Sequence, residues 1–311
     1  MASSPTVVLC TITYLRPVGL RRLLEHLAAL DIGSERVRLV VVDNDEERSA
    51  EPVVATAAPD LPFEVVYVVE PRRGISHARN AALDVALAAH PSWIGWIDDD
   101  EAPDPNWLVN LMETRRATDA DVVIGPSRPV YEPGTPPWII ESGAFERSRF
   151  VTGEPFPYFH ARTSGVIVRA SMVPREGFDE RLALIGGEDL VFFTRIHRAG
   201  GRFVWDDRAV VDEWIPASRA TATWLARRWF RIGVSRSLTM LILDDPPWSR
   251  RLLRAGSGLL QTVRGLPGLV VALPRPGAHA VGAGWPVLVG LGVAYGALGG
   301  RYLEYRSVHG Q

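Results

Sequence analysis

Strand and helix patterns alternate through the first hundred residues, and each strand pattern stops on a polar residue. Thr6–Thr13 is apolar enough for a buried strand. Pro17–Leu30 follows with Leu20, Leu23, Leu24, Leu27 and Leu30 at helical spacing. Val37–Val42 is a second strand ending at Asp43-Asn44-Asp45, and Phe63–Val69 a third ending at Glu70. Ser76–Ala89 is an alanine-rich helix, and Trp93–Ile97 a fourth strand that ends on Asp98-Asp99-Asp100-Glu101. Repeated βα units predict an α/β fold, a mainly parallel sheet with helices on both faces. Ligands in such sheets bind beyond the carboxyl ends of the strands. Thr13, Asp43, Glu70 and Asp98–Asp100 all fall at that edge.

The aspartate run carries the most chemistry. Clustered carboxylates repel one another unless a cation joins them. Hard divalent ions such as Mg²⁺ and Mn²⁺ prefer oxygen ligands, and Mg²⁺ is commonly held by one or two carboxylates plus substrate phosphates. The plainer alternative is a solvated acidic loop. No GxGxxG follows the first strand, which disfavours a dinucleotide-binding domain. All 34 basic residues are arginine. The absence of lysine excludes Schiff-base chemistry and a GxxxxGK phosphate loop.

Further along, Asp121–Gly125 and Thr163–Arg169 are expected strands, and Val204–Val211 one or two short ones. Pro126–Pro157, rich in Pro, Gly and aromatics, is expected to be a long ordered loop or lid. Gly186-Gly187-Glu188-Asp189 opens a helix over Leu190–Ala199. There the acids either complement the helix dipole or face a ligand that the glycines allow close. Thr221–Leu243 is a helix with Arg227, Arg228, Arg231 and Arg236 on one face. The lone Cys10, in the first strand, permits no intrachain disulfide and fits a reducing compartment. Met1–Pro5 is polar and leads straight into a strand, so no leader peptide is expected.

The net charge of −2 conceals two halves. Residues 1–214 hold 33 acidic and 22 basic side chains; residues 215–311 hold 3 and 12. The acidic half argues against nucleic acid as a partner. The basic, apolar tail suits an anionic membrane surface or a phosphorylated partner. Leu252–Leu273 mixes arginines with leucine clusters, as an interfacial segment does. Ala280–Gly300 is 21 uncharged residues, long enough to span a bilayer but carrying seven glycines and Pro286. Gly292, Gly296 and Gly300 form a small-residue row able to pack helix on helix. A peripheral segment, a span or a soluble helical cap all remain readings of this tail.

Several separated motifs together resemble the GT-A glycosyltransferases of family 2, and more narrowly the bacterial exopolysaccharide glucosyltransferases of the succinoglycan type. They are CTITYLRP at Cys10–Pro17, VVVDND at Val40–Asp45, GISHARNAAL at Gly74–Leu83, WIDDDEAPDPNWL at Trp96–Leu108, GGED at Gly186–Asp189 and RRWFRIG at Arg227–Gly233. The resemblance implies a GT-A catalytic domain over 1–215, with a donor half near 1–125 and an acceptor half near 126–215. A basic helical extension follows over 216–311.

It also implies roles. Thr13 and Tyr14 would line the nucleotide pocket, Asp43 would meet the uracil edge, and Arg79 and Asn80 would hold the nucleotide or its diphosphate. Asp98 and Asp100 match a DxD motif. Asp100 would bind Mn²⁺ or Mg²⁺ directly, while Asp98 would assist and touch ribose or sugar. Asp99 takes the variable middle position. Asp189 would be the catalytic base and Glu188 would orient the acceptor, although either carboxylate fits the spacing. Arg228, with Arg219 or Arg227, would reach the diphosphate.

The implied activity is inverting transfer of a hexose, glucose first, from a UDP-sugar to a lipid-linked saccharide. It would take place at the inner face of the cytoplasmic membrane. Competing readings are a nucleotidyltransferase and a catalytically inactive GT-A binding subunit. One departure stands out: Arg228-Trp229 matches the end of the QxxRW signature of processive synthases, but Leu225 sits at the Gln position. That favours addition of a single sugar.

Overall fold

The computed structural model describes residues 6–272 and 277–303. The expectation for Met1–Pro5 and the end of the interfacial segment at Leu273 lie outside the described residues.

In chain order the main elements are β1 (Val7–Thr13), α1 (Pro17–Ala28), β2 (Val37–Asp43), α2 (Glu51–Ala57), β3 (Glu64–Val69), α3 (Ile75–Ala88), β4 (Trp93–Trp96), β5 (Glu101–Pro103) and α4 (Trp107–Thr118). Then come β6 (Val122–Ile124), β7 (Ser127–Tyr131), α5 (Pro137–Glu141), β8 (Val166–Arg169), α6 (Glu188–Arg198), β9 (Phe203–Trp205), β10 (Val211–Ile215), α7 (Ala222–Asp244), α8 (Trp248–Ala272) and α9 (Ala278–Ala297).

A seven-stranded sheet runs in the order β3-β2-β1-β4-β8-β6-β9. β1 pairs in parallel with β2 and β4, and β8 runs antiparallel to both its neighbours. Strands buried on both faces must be apolar at every position rather than at alternate ones. β1 meets this with Val7, Val8, Leu9 and Cys10, all fully buried. On one face the leucines Leu20, Leu23, Leu24 and Leu27 of α1 close over Leu9, Leu39 and Trp107. On the other, Ala78, Ala82 and Ala86 of α3 share one stripe and let the helix sit close to Val8, Val40 and Ile94. The strand order reverses between β1 and β4. A crevice opens at such a reversal, beyond the strand ends.

Pro126–Pro157 departs from the loop expected of it. Its first part is β7, which pairs in parallel with β10 in a second sheet ordered β5-β10-β7. Pro129 makes this run look unlike a strand. At the edge of a sheet, however, a residue without an N–H is tolerated. A short helix, α5, follows it. The stretch Val204–Val211 divides between the two sheets: β9 belongs to the large one and β10 to the small one.

The C-terminal helices pack onto the α/β body. Leu225 and Trp229 of α7 join Ile139, Phe145 and Ile215, and Val234 and Leu238 join Leu182 and Val191. α9 lies against both α7 and α8. Its glycines make that possible. A Cβ on Gly292 would lie 2.0 Å from the Phe230 carbonyl oxygen of α7, and one on Gly290 would lie 2.5 Å from that of Gly258 in α8. Gly292 and Gly296 therefore pack helix on helix as expected, whereas Gly300 lies past the end of α9. Among the described residues no helix is long and apolar enough to cross a membrane. This overturns the spanning reading of Ala280–Gly300. The glycines that let the helices approach also dilute the hydropathy that a span would need.

Candidate active site

β4 ends level with Cys10, and its neighbour β1 runs on to Thr13 beside the turn that follows. The chain turns sharply after β4. Glu101 holds the turn from beneath, accepting the Asp98 amide at 3.0 Å and the Ser164 hydroxyl. The three aspartates then separate by environment. Asp99 is buried, accepting the Thr13 hydroxyl at 2.8 Å and Arg16 at 2.9 Å. It anchors the loop to β1. Asp100 accepts Arg219 at 2.9 Å and Arg16 at 3.3 Å. Asp98 is the most open of the three, with a side chain 36% exposed, and meets Arg79 at 3.3 Å.

Desolvation by the enclosing crevice, followed by the charges of Asp100 and Asp99, pushes Asp98 up to about 7 against the pull of Arg79. Asp99 is raised by burial and by Asp100, despite Arg16. Such crowding favours a bound cation, and the hard oxygens of Asp98 and Asp100 suit Mg²⁺ or Mn²⁺. Among the described residues, however, no three His, Cys, Asp or Glu side chains are grouped to hold a metal. Two carboxylates would thus leave coordination positions for a ligand such as a phosphate.

Across the crevice, Gly186 and Gly187 adopt φ of 85° and 91° and feed into α6. A Cβ on Gly187 would lie 2.7 Å from the Cβ of Ser235, so this left-handed turn fits tightly beneath α7. The turn delivers Glu188 inward. Glu188 is buried and paired with Arg79, while its Oε2 accepts no hydrogen bond among the described residues. Burial, and after it the charge of Asp189, raises Glu188 to about 7 against Arg79. Asp189 is only partly buried, and its Oδ1 accepts the Leu190 amide at 2.7 Å. Arg79 thus bridges Asp98 on one side of the crevice and Glu188 on the other.

A cationic wall completes the site. Glu213 of β10 accepts Ser127 at 2.8 Å and pairs with Arg147. Burial opposes its ionisation, but the charges of Arg147 and Arg228 prevail and hold it down to about 2. Arg228 stacks over Phe145 at 5.3 Å and Trp224 at 5.2 Å. Burial, then the charge of Arg147, lowers it to about 10. Arg219 and Arg231 add to the same field, whereas Arg227 is exposed on α7. A wall with this excess of arginine suits phosphate oxygens.

Not every expected residue reaches the opening. Asp43 is completely buried. It accepts the amides of Ala50 at 2.7 Å and Asp45 at 3.1 Å and the Tyr67 hydroxyl at 2.8 Å. Its place is to order the segment after β2. Asn80 spends both ends of its amide on the Phe178 backbone, at 2.9 and 2.8 Å. Tyr14 lies beneath the Arg73 guanidinium at 4.8 Å, near the carboxyl end of β1. Three site residues were not anticipated: Arg16, Glu101 and Arg147. Arg16, the first cation after β1, had a positional signal. Arg147 had none, because it sits in irregular chain.

A sequence model of glycosyl transferase family 2 matches residues 8–181. The succinoglycan biosynthesis protein ExoM of Rhizobium meliloti (strain 1021) is 39% identical over 227 residues, covering 71% of each chain. Among solved structures, the mannosyltransferase PcManGT from Pyrobaculum calidifontis, in complex with GDP-Man and Mn²⁺, matches with a TM-score of 0.61 at 19% identity, over 94% of this chain and 87% of that one. S. aureus TarS 1-349 in complex with UDP matches with a TM-score of 0.53 at 16% identity, over 95% and 92%. The chain spans 42% of a longer TarS chain. These likenesses agree on the GT-A fold, and the family match over more than half the chain, with the 39% relative, makes this protein a member of glycosyl transferase family 2.

Proposed function

We propose that the protein is an inverting, metal-dependent hexosyltransferase. It would move a hexose, glucose in the first instance, from a UDP-sugar to a lipid-linked saccharide during synthesis of an exopolysaccharide or another cell-surface glycan. The observation that carries this reading is the meeting of three features at one strand-order reversal. They are the open carboxylates Asp98 and Asp100, the arginine wall of Arg16, Arg219 and Arg228, and the acids Glu188 and Asp189 opposite. The family and the named succinoglycan biosynthesis relative support it. We assign donor binding to about 1–125, acceptor binding to about 126–215, and the extension over 216–311 to the inner face of the cytoplasmic membrane.

In this reading Thr13 and Tyr14 border the nucleotide at the end of β1. Arg219 and Arg16 turn toward the diphosphate as it enters, exchanging a carboxylate partner for phosphate oxygens, and Arg228 reaches it from its ring contacts with Phe145 and Trp224. A divalent ion, Mn²⁺ or Mg²⁺, held by Asp100 and Asp98, supplies Lewis-acid neutralisation of the diphosphate charge. Asp189 accepts the proton of the acceptor hydroxyl. The acceptor oxygen then bonds to C1 from the side opposite the diphosphate, and the C1–O bond to UDP breaks. UDP leaves with the bonding pair, and the configuration at C1 inverts. Glu188, fixed by Arg79, orients the acceptor. Positioning supplies much of the acceleration.

The test is turnover with UDP-glucose, UDP-galactose, UDP-GlcNAc and UDP-glucuronate, using Mn²⁺, Mg²⁺ or EDTA and a lipid-linked acceptor. Metal-dependent UDP release from UDP-glucose, with a product of inverted C1 configuration by NMR, is expected. Release of pyrophosphate would instead point to a nucleotidyltransferase. Binding of UDP-sugar and acceptor without any transfer would point to an inactive binding subunit.

A further inference from the structure

α8 is 25 residues long, about 37 Å at 1.5 Å per residue. It presents two apolar faces, and only one is covered. Ala255, Gly258 and Thr262 face inward, with Gly258 against α9. On the other side, Trp248, Leu252, Leu259, Val263, Leu266 and Val270 are each between 43% and 62% exposed. At about 100° per residue these six fall within an arc of about 60°, forming one stripe along the whole helix. Single exposed leucines are ordinary; a continuous stripe of this length is not.

The charge beside the stripe is one-sided. Leu253, Leu260 and Val271, each at least 50% exposed, widen the apolar arc to about 140°, and Arg264, Arg250 and Arg254 follow in that order beyond its edge. No Asp or Glu occurs in the sequence from residue 246 to residue 303. Two such faces brought together would oppose arginine to arginine, which disfavours a second copy of this chain as the partner. An exposed apolar face bordered along its free edge by cations and by no acid matches an anionic lipid surface, where acyl chains receive the apolar face and headgroups receive the arginines. Among the described residues no helix crosses a bilayer, so the contact is one of lying on the surface.

We propose that α8 is a membrane-docking helix, immersed along its Trp248–Val270 stripe in the headgroup layer of an anionic bilayer. α9 packs against α8 on one side and α7 on the other, and α7 carries Arg228 at the crevice. Docking therefore sets the position of the crevice relative to the lipid. The purpose of this arrangement rests on the lipid-linked acceptor proposed above. The binding itself needs neither donor nor acceptor, so its failure and the failure of that reading can be told apart.

The experiment is co-flotation of the full chain with vesicles of phosphatidylcholine alone or with 30% phosphatidylglycerol added, at low and high salt. Binding to the anionic vesicles, weakened by salt, is expected. Leu259→Ser with Val263→Ser should weaken it by about tenfold or more. Arg250→Gln with Arg264→Gln, both exposed, should weaken binding to anionic vesicles by roughly thirtyfold, at about 1 kcal/mol per arginine. All these side chains lie on the outward or lateral faces of α8. Each variant is therefore expected to keep the wild-type melting temperature and UDP-sugar turnover with a water-soluble acceptor. The proposal is overturned if the wild-type chain stays in the bottom fraction and does not float with anionic vesicles. It is equally overturned if sedimentation shows a stable dimer that Leu259→Ser with Val263→Ser dissolves.

Discussion

Arg79 links the two halves of the crevice at the scale of single residues. Its guanidinium touches Asp98, after β4, and Glu188, at the start of α6. That arrangement separates the two acids of the GGED turn. Glu188 is buried and occupied by the arginine, whereas Asp189 is partly open and keeps one oxygen outside the Leu190 contact. Asp189→Asn should therefore lower kcat by about 10²–10⁴-fold with little change in donor KM, the usual worth of a general base. Glu188→Gln should cost less in kcat and more in acceptor KM. Steady-state kinetics of the two variants checks this, and the reverse order would move the base to Glu188.

Glu213 makes a pH dependence on the acid side. Held at about 2 in the folded protein against an ordinary 4.5, it contributes stability in its ionised form. The sign follows from linkage. A carboxyl with a depressed folded value stabilises above its unfolded value and loses that contribution as pH falls through its folded value. Glu213→Gln should lose on the order of 3 kcal/mol at pH 7, at about 1.4 kcal/mol per unit. The gap to wild type should hold down to about pH 5 and narrow between 4.5 and 2. Urea unfolding across that range measures it.

At the scale of elements, the contacts between helices α7, α8 and α9 depend on backbone approach. Gly292 admits the Phe230 carbonyl where any side chain would collide. Gly292→Val should cost about 3 kcal/mol or more, because neither backbone can yield without moving its helix. Thermal unfolding should show this as a lower Tm, whereas Gly268→Ala, with nothing within 4 Å of its Cβ, should leave Tm unchanged or raised. β1, β2 and β4, with α1 and α3, were legible in sequence because burial on both faces writes unbroken apolar runs, and the edge strand β3 was legible by its β-branched and aromatic residues Val65–Val69. β7 was not, because Pro129 breaks the run and its pairing with β10 joins residues more than eighty positions apart. The same distance hid much of the site. The DxD and GGED acids announce themselves locally. Arg16 reaches Asp99 from 83 residues away and Arg219 reaches Asp100 from 119, and no local pattern records such pairs.

At the scale of the whole molecule, an acidic α/β body with an arginine-lined crevice carries a basic helical cap. The crevice stands where the strand order of the large sheet reverses, as sheets of this kind place their ligands. Asn80 and buried Asp43, each hydrogen-bonded to backbone, also shape the walls of this crevice.

The central claim is that Asp98 and Asp100 receive a nucleotide diphosphate together with a divalent cation. Calorimetric titration of UDP into the wild-type protein and into Asp100→Ala, each with Mn²⁺ and with EDTA, tests it most directly. The account predicts UDP binding that needs Mn²⁺ in the wild type and falls at least a hundredfold in the variant. Equal UDP affinity with and without metal, unchanged by Asp100→Ala, would contradict it.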